Sequence, residues 1–315
     1  MKEEINKLYD YNIEKFRRIR DEVIFIVESI FEKTDIKIHN VHSRIKKIDS
    51  LIKKAEGVDL ENANQIFEKI QDIVGIRIIC LFVSDISEII KLLRENFTVI
   101  QEDNKISESE ISSFGYFSVH FYCKLKKDFK GTRYDDIKDI GFEIQVRTIS
   151  MDAWANISHY LDYKSELEIP KELKKDFFAL SGLFYVADTH FEMFFKNKKE
   201  QSKIAKEDVE KNIDVEINFE TLEAYINNRF KKRQKAWPEH ISKMTQELIQ
   251  VGYKKISDLD KKLDEAFKIV PDAKQMRTLN RIGIVRMSLK ISDPEYLKLW
   301  EAERDQGLNR NKKRE

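Results

Sequence analysis

Residues 72–83 read DIVGIRIICLFV, the most apolar run of the chain. Isoleucine and valine dominate this run, which favours a strand buried in a sheet. The run is too short to cross a bilayer, because a membrane-spanning helix needs about 20 residues. It also contains Arg77, and an arginine inside an apolar strand is costly unless an anion pairs with it. The sequence leaves two sources for that anion: a ligand phosphate, or a carboxylate of the chain such as Asp72 or Glu143.

The segments around this strand alternate between strand and helix patterns. Strands are predicted in short β-branched or alternating runs, at residues 36–44, 73–83, 97–101, 116–125 and 141–148. Helices are predicted where apolar side chains recur every three to four positions, at 3–33, 46–56, 59–70, 84–96, 151–165 and 171–198. Residues 102–113 are polar without periodicity, which predicts a loop. We therefore expect an α+β fold: a mixed five-stranded sheet flanked by helices, followed by a C-terminal all-helical domain.

Four regions follow from these patterns. They are an N-terminal helix at 1–35, a sheet domain at 36–198, a charged linker at 199–216 and a basic helical domain at 217–315. The 315 residues include 57 basic and 56 acidic side chains, a formal net charge of +1. From residue 217 to the end, 22 basic residues stand against 15 acidic ones, so this region carries +7 and the remainder −6. Such asymmetry between halves indicates different partners for each half.

Two predicted strands carry polar side chains at alternate positions. Glu143, Gln145 and Arg147 alternate with apolar residues, so they share one face of their strand. Ser118 and His120 share a face of the preceding strand in the same way. Each pattern fits a polar cleft, and each also fits a half-exposed antiparallel strand with a cross-strand salt bridge.

Two helical segments add further polar side chains. Asp152, Asn156 and His159 are spaced so that they lie on one face of a helix. Residues 44–54 contain five cations, a pattern typical of a phosphate site or of a solvated helix face. Motifs of other enzyme classes, GxxxxGK[ST], GxGxxG, GxSxG and HExxH, do not occur in the sequence. The closest histidine pair, His39 and His42, has no ligand set around it, so we expect no zinc site.

Taken together and in order, five motifs resemble the RelA/SpoT synthetase domain of the GTP pyrophosphokinase family. The resemblance covers residues 36–165, about 40% of the chain. The motifs are Arg44-x-Lys46-x-x-x-Ser50-x-x-x-Lys54, Asp72-Ile-Val-Gly-Ile-Arg77, Phe-Gly115-Tyr116-x-Ser118-x-His120, Glu143-Ile-Gln145-Val-Arg147-Thr and Met151-Asp-Ala-Trp154-Ala-x-x-x-His159-x-x-x-Tyr163-Lys164.

The resemblance implies a nucleotidyltransferase-like sheet and an ATP:nucleotide 3′-pyrophosphotransferase, which moves the β,γ-pyrophosphate of ATP to the 3′-hydroxyl of GDP or GTP. It implies that Asp72 and Glu143 are the catalytic carboxylates and hold Mg²⁺, with Glu143 alternatively acting as the general base. The implied ATP and phosphate contacts are Arg44, Lys46, Ser50, Lys54 and Arg77, and the implied acceptor contacts are Tyr116, His120, Gln145, Arg147 and His159.

The sequence departs from the family pattern on the acceptor side. Residues 105–113, KISESEISS, carry acids where many family members have a Lys-Asp-Tyr-rich loop, and Phe117 stands where arginine is common. Three functions therefore remain open: a (p)ppGpp synthetase of the stringent response, a toxic relative that pyrophosphorylates the 3′-CCA end of tRNA, and a catalytically silent interaction protein. The basic C-terminal region favours the second, because cations at 229–235 and at Lys274, Arg277, Arg281, Arg286 and Lys290 suit a phosphate backbone.

Further expectations concern the setting of the protein. The N-terminal helix does not resemble a hydrolase domain, so we expect no alarmone degradation. The first residues, MKEEINKLYD, lack an apolar core, so we predict no signal peptide and a cytoplasmic protein without a membrane partner. A regulatory protein or antitoxin and a homo-oligomer remain open as partners.

Overall fold

The computed structural model describes residues 1–104, 118–161, 169–170, 172–270 and 278–311, with side chains up to residue 304. The chain divides into two units, Met1–Phe195 and Lys196–Glu315, and each unit has a hydrophobic core of its own. Within the described ranges, no helix combines the length and the apolar character needed to cross a membrane.

The first unit is built on one mixed sheet. Its strands are β1 (Ile38–Ile45), β2 (Val74–Cys80), β3 (Phe97–Asn104), β4 (Val119–Leu125) and β5 (Phe142–Thr148). They lie in the order β1-β2-β5-β4-β3, with β2 and β5 parallel and the other neighbours antiparallel. The predicted α+β fold with a mixed five-stranded sheet is confirmed. The predicted loop at 102–113 is wrong at its start, because residues 102–104 continue β3 and pair with β4; residues 105–113 lie outside the described part.

Helices cover the sheet. They are α1 (Lys2–Phe31), α2 (Ile48–Ala55), a 3₁₀ turn (Ala63–Gln65) leading into α3 (Ile66–Lys69), α4 (Val83–Asn96), α5 (Ile149–Tyr160) and α6 (Lys174–Lys211). The predicted helix at 59–70 is thus shorter and begins with a 3₁₀ turn. α6 runs through residues 199–211, most of the stretch predicted as a linker. Ala205 and Val209, four residues apart, are buried in the core of the second unit and give this charged stretch a helical face.

The core of the first unit lies on one side of the sheet. Ile76 and Ile78 of β2, Phe121 of β4 and Ile144 and Val146 of β5 are fully buried there. The side chains between them point to the opposite face, because successive residues of a strand alternate. In β2, β4 and β5 this opposite face carries the polar motif residues. Because apolar and polar residues alternate along these strands, burying the apolar ones in the core places the polar ones together on the other face.

The second unit is helical, in agreement with the predicted C-terminal all-helical region. Besides the end of α6 it contains α7 (Phe219–Arg229), α8 (Pro238–Val251), α9 (Ile256–Ile269), α10 (Arg281–Ser292) and α11 (Pro294–Asn311). Asn218 accepts a hydrogen bond from the amide of Thr221 at the start of α7, and Gly252 ends α8 in the left-handed conformation.

Candidate active site

The polar face of the sheet forms a cleft across three strands. The strand register places Glu143 of β5 between Gly75 of β2 and Tyr122 of β4, and Gln145 between Arg77 and His120. The cleft has a volume of about 420 Å³. Its lining residues are His42, Ser43, Arg44, Gly75, Ile76, Arg77, Glu143, Gln145, Asp152 and Asn156.

Asp72 precedes β2 and is held by two lysines. Lys46 Nζ lies 2.7 Å from one carboxylate oxygen and Lys54 Nζ lies 3.0 Å from the other. The backbone fixes Lys46 at this place, because its amide donates to the Ile73 carbonyl and its own carbonyl accepts from the Tyr9 hydroxyl. Burial alone would raise the pKa of Asp72, but the hydrogen bonds and charges of the two lysines outweigh it and lower the pKa. Asp72 is therefore an anion at neutral pH.

Glu143 is held by an imidazole and an amide from its own sheet. His120 Nδ1 donates to one carboxylate oxygen at 2.8 Å, and Gln145 Nε2 donates to the other at 2.8 Å. Ser118, which is buried, places its Oγ 2.6 Å from Nε2 of the same imidazole. Burial would raise the pKa of Glu143, but the hydrogen bond and charge of His120 and the bond from Gln145 lower it below its ordinary value, against the repulsion of Asp72.

Arg77 projects from β2 towards helix α5. Its Nη1 lies 2.9 Å from Asp152 Oδ1 and donates to Asn156 Oδ1 at 3.3 Å, and Asn156 Nδ2 in turn donates to Asp152 at 2.8 Å. Neither Asp72 nor Glu143, the two carboxylates considered from the sequence, is the partner of Arg77 in the described ranges. The guanidinium is half-buried and borders the cleft, so it keeps donors for a ligand anion.

Arg147 closes the polar network at the end of β5. Its Nη2 donates to Gln145 Oε1 at 2.7 Å, and its Nη1 lies 3.6 Å from Asp152. Burial and the neighbouring charge of Arg77 lower its pKa to about 10, against the attraction of Asp152 and Glu143. Its Nε is buried and has no hydrogen-bond partner in the described part of the chain. Arg147 thus contacts Gln145 and Asp152, and it is not itself among the residues that line the cleft.

The remaining residues predicted for the site are distributed differently. Arg44 lines the cleft, is exposed and forms no ion pair with a described residue. Ser50, on α2, and His159, near the end of α5, are exposed and are not among the residues that line the cleft. Tyr116 lies outside the described residues.

Sequence reasoning missed four residues that line the cleft with polar side chains. Asp152 and Asn156 had a signal, since they share a helix face, but their contact with Arg77 depends on how α5 packs against β2. His42 and Ser43 precede Arg44 on the edge strand β1, and His42 lies opposite Arg77 in the strand register. In the strand predicted at 36–44, His42 and Arg44 lie on the same face, and this pattern could have identified His42 as a site residue.

The part of the chain that contains the sheet is similar to known proteins. Residues 43–168 match the family model described as "Region found in RelA / SpoT proteins". This range contains all the strands of the sheet except the first part of β1, and all the residues that line the cleft except His42. Residues 43–168 are therefore similar to a RelA/SpoT domain, and we call them the RelA/SpoT-like region below. The family resemblance inferred from the five motifs is thereby confirmed.

Two curated relatives of the RelA/SpoT-like region are named as GTP pyrophosphokinases of Bacillus subtilis (strain 168). YwaC is 31% identical over 140 residues, which are 43% of this chain and 63% of the relative. YjbM is 34% identical over 146 residues, which are 46% of this chain and 65% of the relative. The chain thus spans slightly less than two thirds of the length of either relative.

Solved structures with the same fold include small alarmone synthetase 1 of Bacillus subtilis. It superposes with a TM-score of 0.51 at 26% identity, over 62% of this chain and 99% of that protein. A second structure of that enzyme, described as bound to its product pppGpp, gives a TM-score of 0.50 at 26% identity over 61% of this chain and 99% of its own length. The fold of this part of the chain is therefore similar to that of a small alarmone synthetase.

Proposed function

We propose that the protein is a pyrophosphokinase that transfers the β,γ-pyrophosphate of ATP to the 3′-hydroxyl of GDP or GTP and so makes (p)ppGpp. One observation carries the proposal: Glu143 lines the cleft as an ionised carboxylate, and a second one, Asp72, lies between Lys46 and Lys54, close enough for its charge to act on Glu143. Both belong to the RelA/SpoT-like region. The curated relatives named GTP pyrophosphokinases, and the similar synthetase described with pppGpp, support this reaction class.

The reaction balances without further reactants. The 3′-oxygen of the acceptor forms a bond to the β-phosphorus of ATP, the bond between that phosphorus and the α-phosphate oxygen breaks, and AMP leaves. The proton of the 3′-hydroxyl passes to the base, for which we propose Glu143. His120 and Gln145 each donate a hydrogen bond to one carboxylate oxygen of Glu143. The carboxylate is therefore already oriented to take the proton before the acceptor nucleotide binds. Such transfers depend mainly on positioning and on electrostatic stabilisation.

The cations suit the donor nucleotide. Arg44 and Arg77 border the cleft, and Arg44 has no ion pair with a described residue, so its guanidinium is available for a phosphate. Lys46 and Lys54 neutralise Asp72 in the structure. Lys54 is half exposed, and we propose that it moves from Asp72 to a phosphate of ATP.

The carboxylate of Asp72 is a ligand type that Mg²⁺ prefers, and Lys46 and Lys54 occupy its two oxygens in the structure. The described residues contain no group of three or more His, Cys, Asp or Glu side chains that could enclose a metal. Mg²⁺ does not require one, because it takes one or two carboxylates together with waters and substrate phosphates. Asp72 would hold the ion, whose charge would stabilise the transferring phosphates. Glu143 would be a second ligand only in the alternative in which it does not act as the base.

A second acceptor, the 3′ end of tRNA, remains a candidate. The observation in its favour is the +7 charge of residues 217–315, with exposed lysines in the second unit. A catalytically silent interaction protein is a third candidate, and the retention of both carboxylates within an ordered polar network counts against it. A regulator, an antitoxin, a homo-oligomer and a cytoplasmic location remain predictions.

An acceptor assay tests the proposal. The protein is incubated with ATP labelled at the γ-phosphate, Mg²⁺ and either GDP, GTP or deacylated tRNA, and the products are separated. Label in guanosine tetra- or pentaphosphate is the expected result. Label in tRNA alone would establish the second candidate, and no label with any acceptor would favour the third.

A further inference from the structure

The loop between α7 and α8, residues 230–237, is a second basic surface remote in sequence from the RelA/SpoT-like region. Its sequence is FKKRQKAW, and no acidic residue occurs between Glu223 and Glu239. The side chains of Lys231, Lys232 and Lys235 are exposed. Trp237, the last residue of the loop, is 72% exposed, an unusual state for a tryptophan in a folded unit. The geometry points to a binding site for a single-stranded polynucleotide on this loop.

The loop is held in one conformation by a buried arginine. Arg281 of α10 donates to the carbonyl of Phe230 at 3.2 Å and to that of Lys231 at 3.3 Å, and its backbone amide donates to the Gln234 carbonyl. Arg233 donates to the Leu279 carbonyl at 3.0 Å. The lysines and the tryptophan are therefore presented on a fixed backbone, which lowers the ordering cost of binding.

Most other cations considered from the sequence as phosphate contacts have partners inside the second unit. Arg229 pairs with Asp260 and Asp264. Among the described cations of α10, Arg281 binds the loop carbonyls, Arg286 pairs with the buried Glu247, and Lys290 lies over the Trp300 ring. Lys274 and Arg277 lie outside the described residues. The three loop lysines, by contrast, form no ion pair with any described residue, so their charge is directed to solvent.

Charge and shape together favour a polynucleotide over other anions. Proteins that bind single strands combine cations that follow the phosphates with an aromatic ring on which a base stacks. Trp237 supplies the ring beside Lys235, and the loop lysines supply the cations. A lipid surface would call for an apolar helix face next to the cations, whereas this loop exposes a single large apolar side chain.

Binding of a fluorescent 15-mer RNA, measured by anisotropy between 50 and 300 mM salt, tests the inference on the full chain. The triple variant Lys231→Gln, Lys232→Gln, Lys235→Gln should flatten the plot of log affinity against log salt by about 2, since each phosphate contact on a single strand contributes about 0.7. The control variant changes three exposed lysines without ion pairs elsewhere in the second unit, Lys254→Gln, Lys261→Gln and Lys268→Gln, and should leave the slope unchanged. Thermal unfolding verifies that all variants fold.

Trp237→Ala separates stacking from charge. We expect it to weaken single-strand binding about tenfold or more while leaving the salt slope unchanged, and to leave binding of a duplex of the same length unaltered. A DNA 15-mer of the same sequence shows whether the sugar contributes. Equal losses in the loop and control variants would overturn the inference. So would a wild-type protein that does not bind the oligomer at 50 mM salt, or one whose loop binds phosphatidylserine vesicles and not the oligomer. None of these readouts depends on catalysis.

Discussion

The two carboxylates proposed for catalysis are ionised for different physical reasons. Asp72 has a direct cation on each oxygen, so its charge is compensated by lysines that a ligand phosphate can compete for. Glu143 is oriented by an imidazole and an amide, and its pKa is lowered chiefly by the hydrogen bond from His120 after burial has raised it. This difference suits Asp72 for a role next to phosphates and Glu143 for a fixed contact with a hydroxyl.

The first residue-scale prediction concerns catalysis by Glu143. The substitution Glu143→Gln keeps the shape of the side chain and removes its ability to accept a proton. Pyrophosphate transfer should fall by about 10²–10⁴-fold, the usual contribution of a positioned base. The initial rate with saturating ATP and acceptor measures this loss. Glu88→Gln, on the exposed side of α4, is the matched control, and comparable rates for the two variants would contradict the role of Glu143.

Asp72→Asn should change how stability depends on pH. The pKa of Asp72 in the folded protein lies below its ordinary value of 3.8, so its ionic interactions stabilise the fold above that pH and are lost as the pH falls further. The wild type should therefore lose its advantage in free energy of unfolding over the variant between about pH 5 and pH 2. Urea denaturation at several pH values measures this. Asp139→Asn, an exposed aspartate without an ion pair to described residues, should show no such convergence.

Both thiols should be chemically silent in the folded state. Cys80 and Cys123 are fully buried, and burial raises the pKa of each to about 12. Because the thiolate is the reactive form, a thiol reagent at pH 8 should modify neither residue in the native protein and both after denaturation. Mass spectrometry counts the labels. Rapid labelling of either cysteine without denaturant would contradict the packing of β2 or β4.

At the scale of the elements, the alternation of residues within strands explains why much of the site was predictable. Glu143, Gln145 and Arg147 share a face because their neighbours are core residues, and this follows from the sequence of β5 alone. The partner of Arg77 could not be predicted in the same way, since Asp152 reaches it only through the packing of α5 on β2. The helix at 199–211 was not predicted, because this stretch is mostly charged and only two of its residues, Ala205 and Val209, lie in a core.

The turn into β5 is fixed by a close contact that only glycine permits. A Cβ at Gly141 would lie 2.0 Å from the hydroxyl oxygen of Tyr122, whereas one at Gly75 would meet Arg44 at an ordinary 3.7 Å. Gly141→Ala should therefore displace the Tyr122 ring, which lies opposite Glu143 in the sheet, and lower the free energy of unfolding by about 1–3 kcal/mol.

A double-mutant cycle tests that explanation of Gly141. In a Tyr122→Ala background the ring is absent, so the cost of Gly141→Ala should shrink, with a coupling energy of at least about 0.5 kcal/mol. Urea denaturation gives the four free energies. Gly75→Ala is the steric control and should be tolerated. An unchanged cost in the Tyr122→Ala background would assign the effect to the backbone and not to the contact.

The net charge of +1 is the sum of two regions of opposite charge. The residues before 217 carry −6 and concentrate cations in the cleft, where they meet carboxylates and, on our proposal, phosphates. The residues from 217 onward carry +7, yet much of that charge is paired internally, and three lysines without an ion pair to a described residue lie within the single loop at 230–237. The two surfaces belong to units with separate cores, so their ligands should stabilise different parts of the chain.

Calorimetry of the full chain tests this division with a matched pair of core substitutions. Ile144→Ala and Ile226→Ala each truncate a fully buried isoleucine, one in each core, at an expected cost of about 2–5 kcal/mol. We expect two unfolding transitions, with each substitution lowering a different one. A non-hydrolysable ATP analogue with Mg²⁺ should raise the transition that Ile144→Ala lowers, and the RNA 15-mer should raise the other, because a ligand stabilises the state that binds it. A single transition lowered by both substitutions and raised by both ligands would mean that the two cores unfold together.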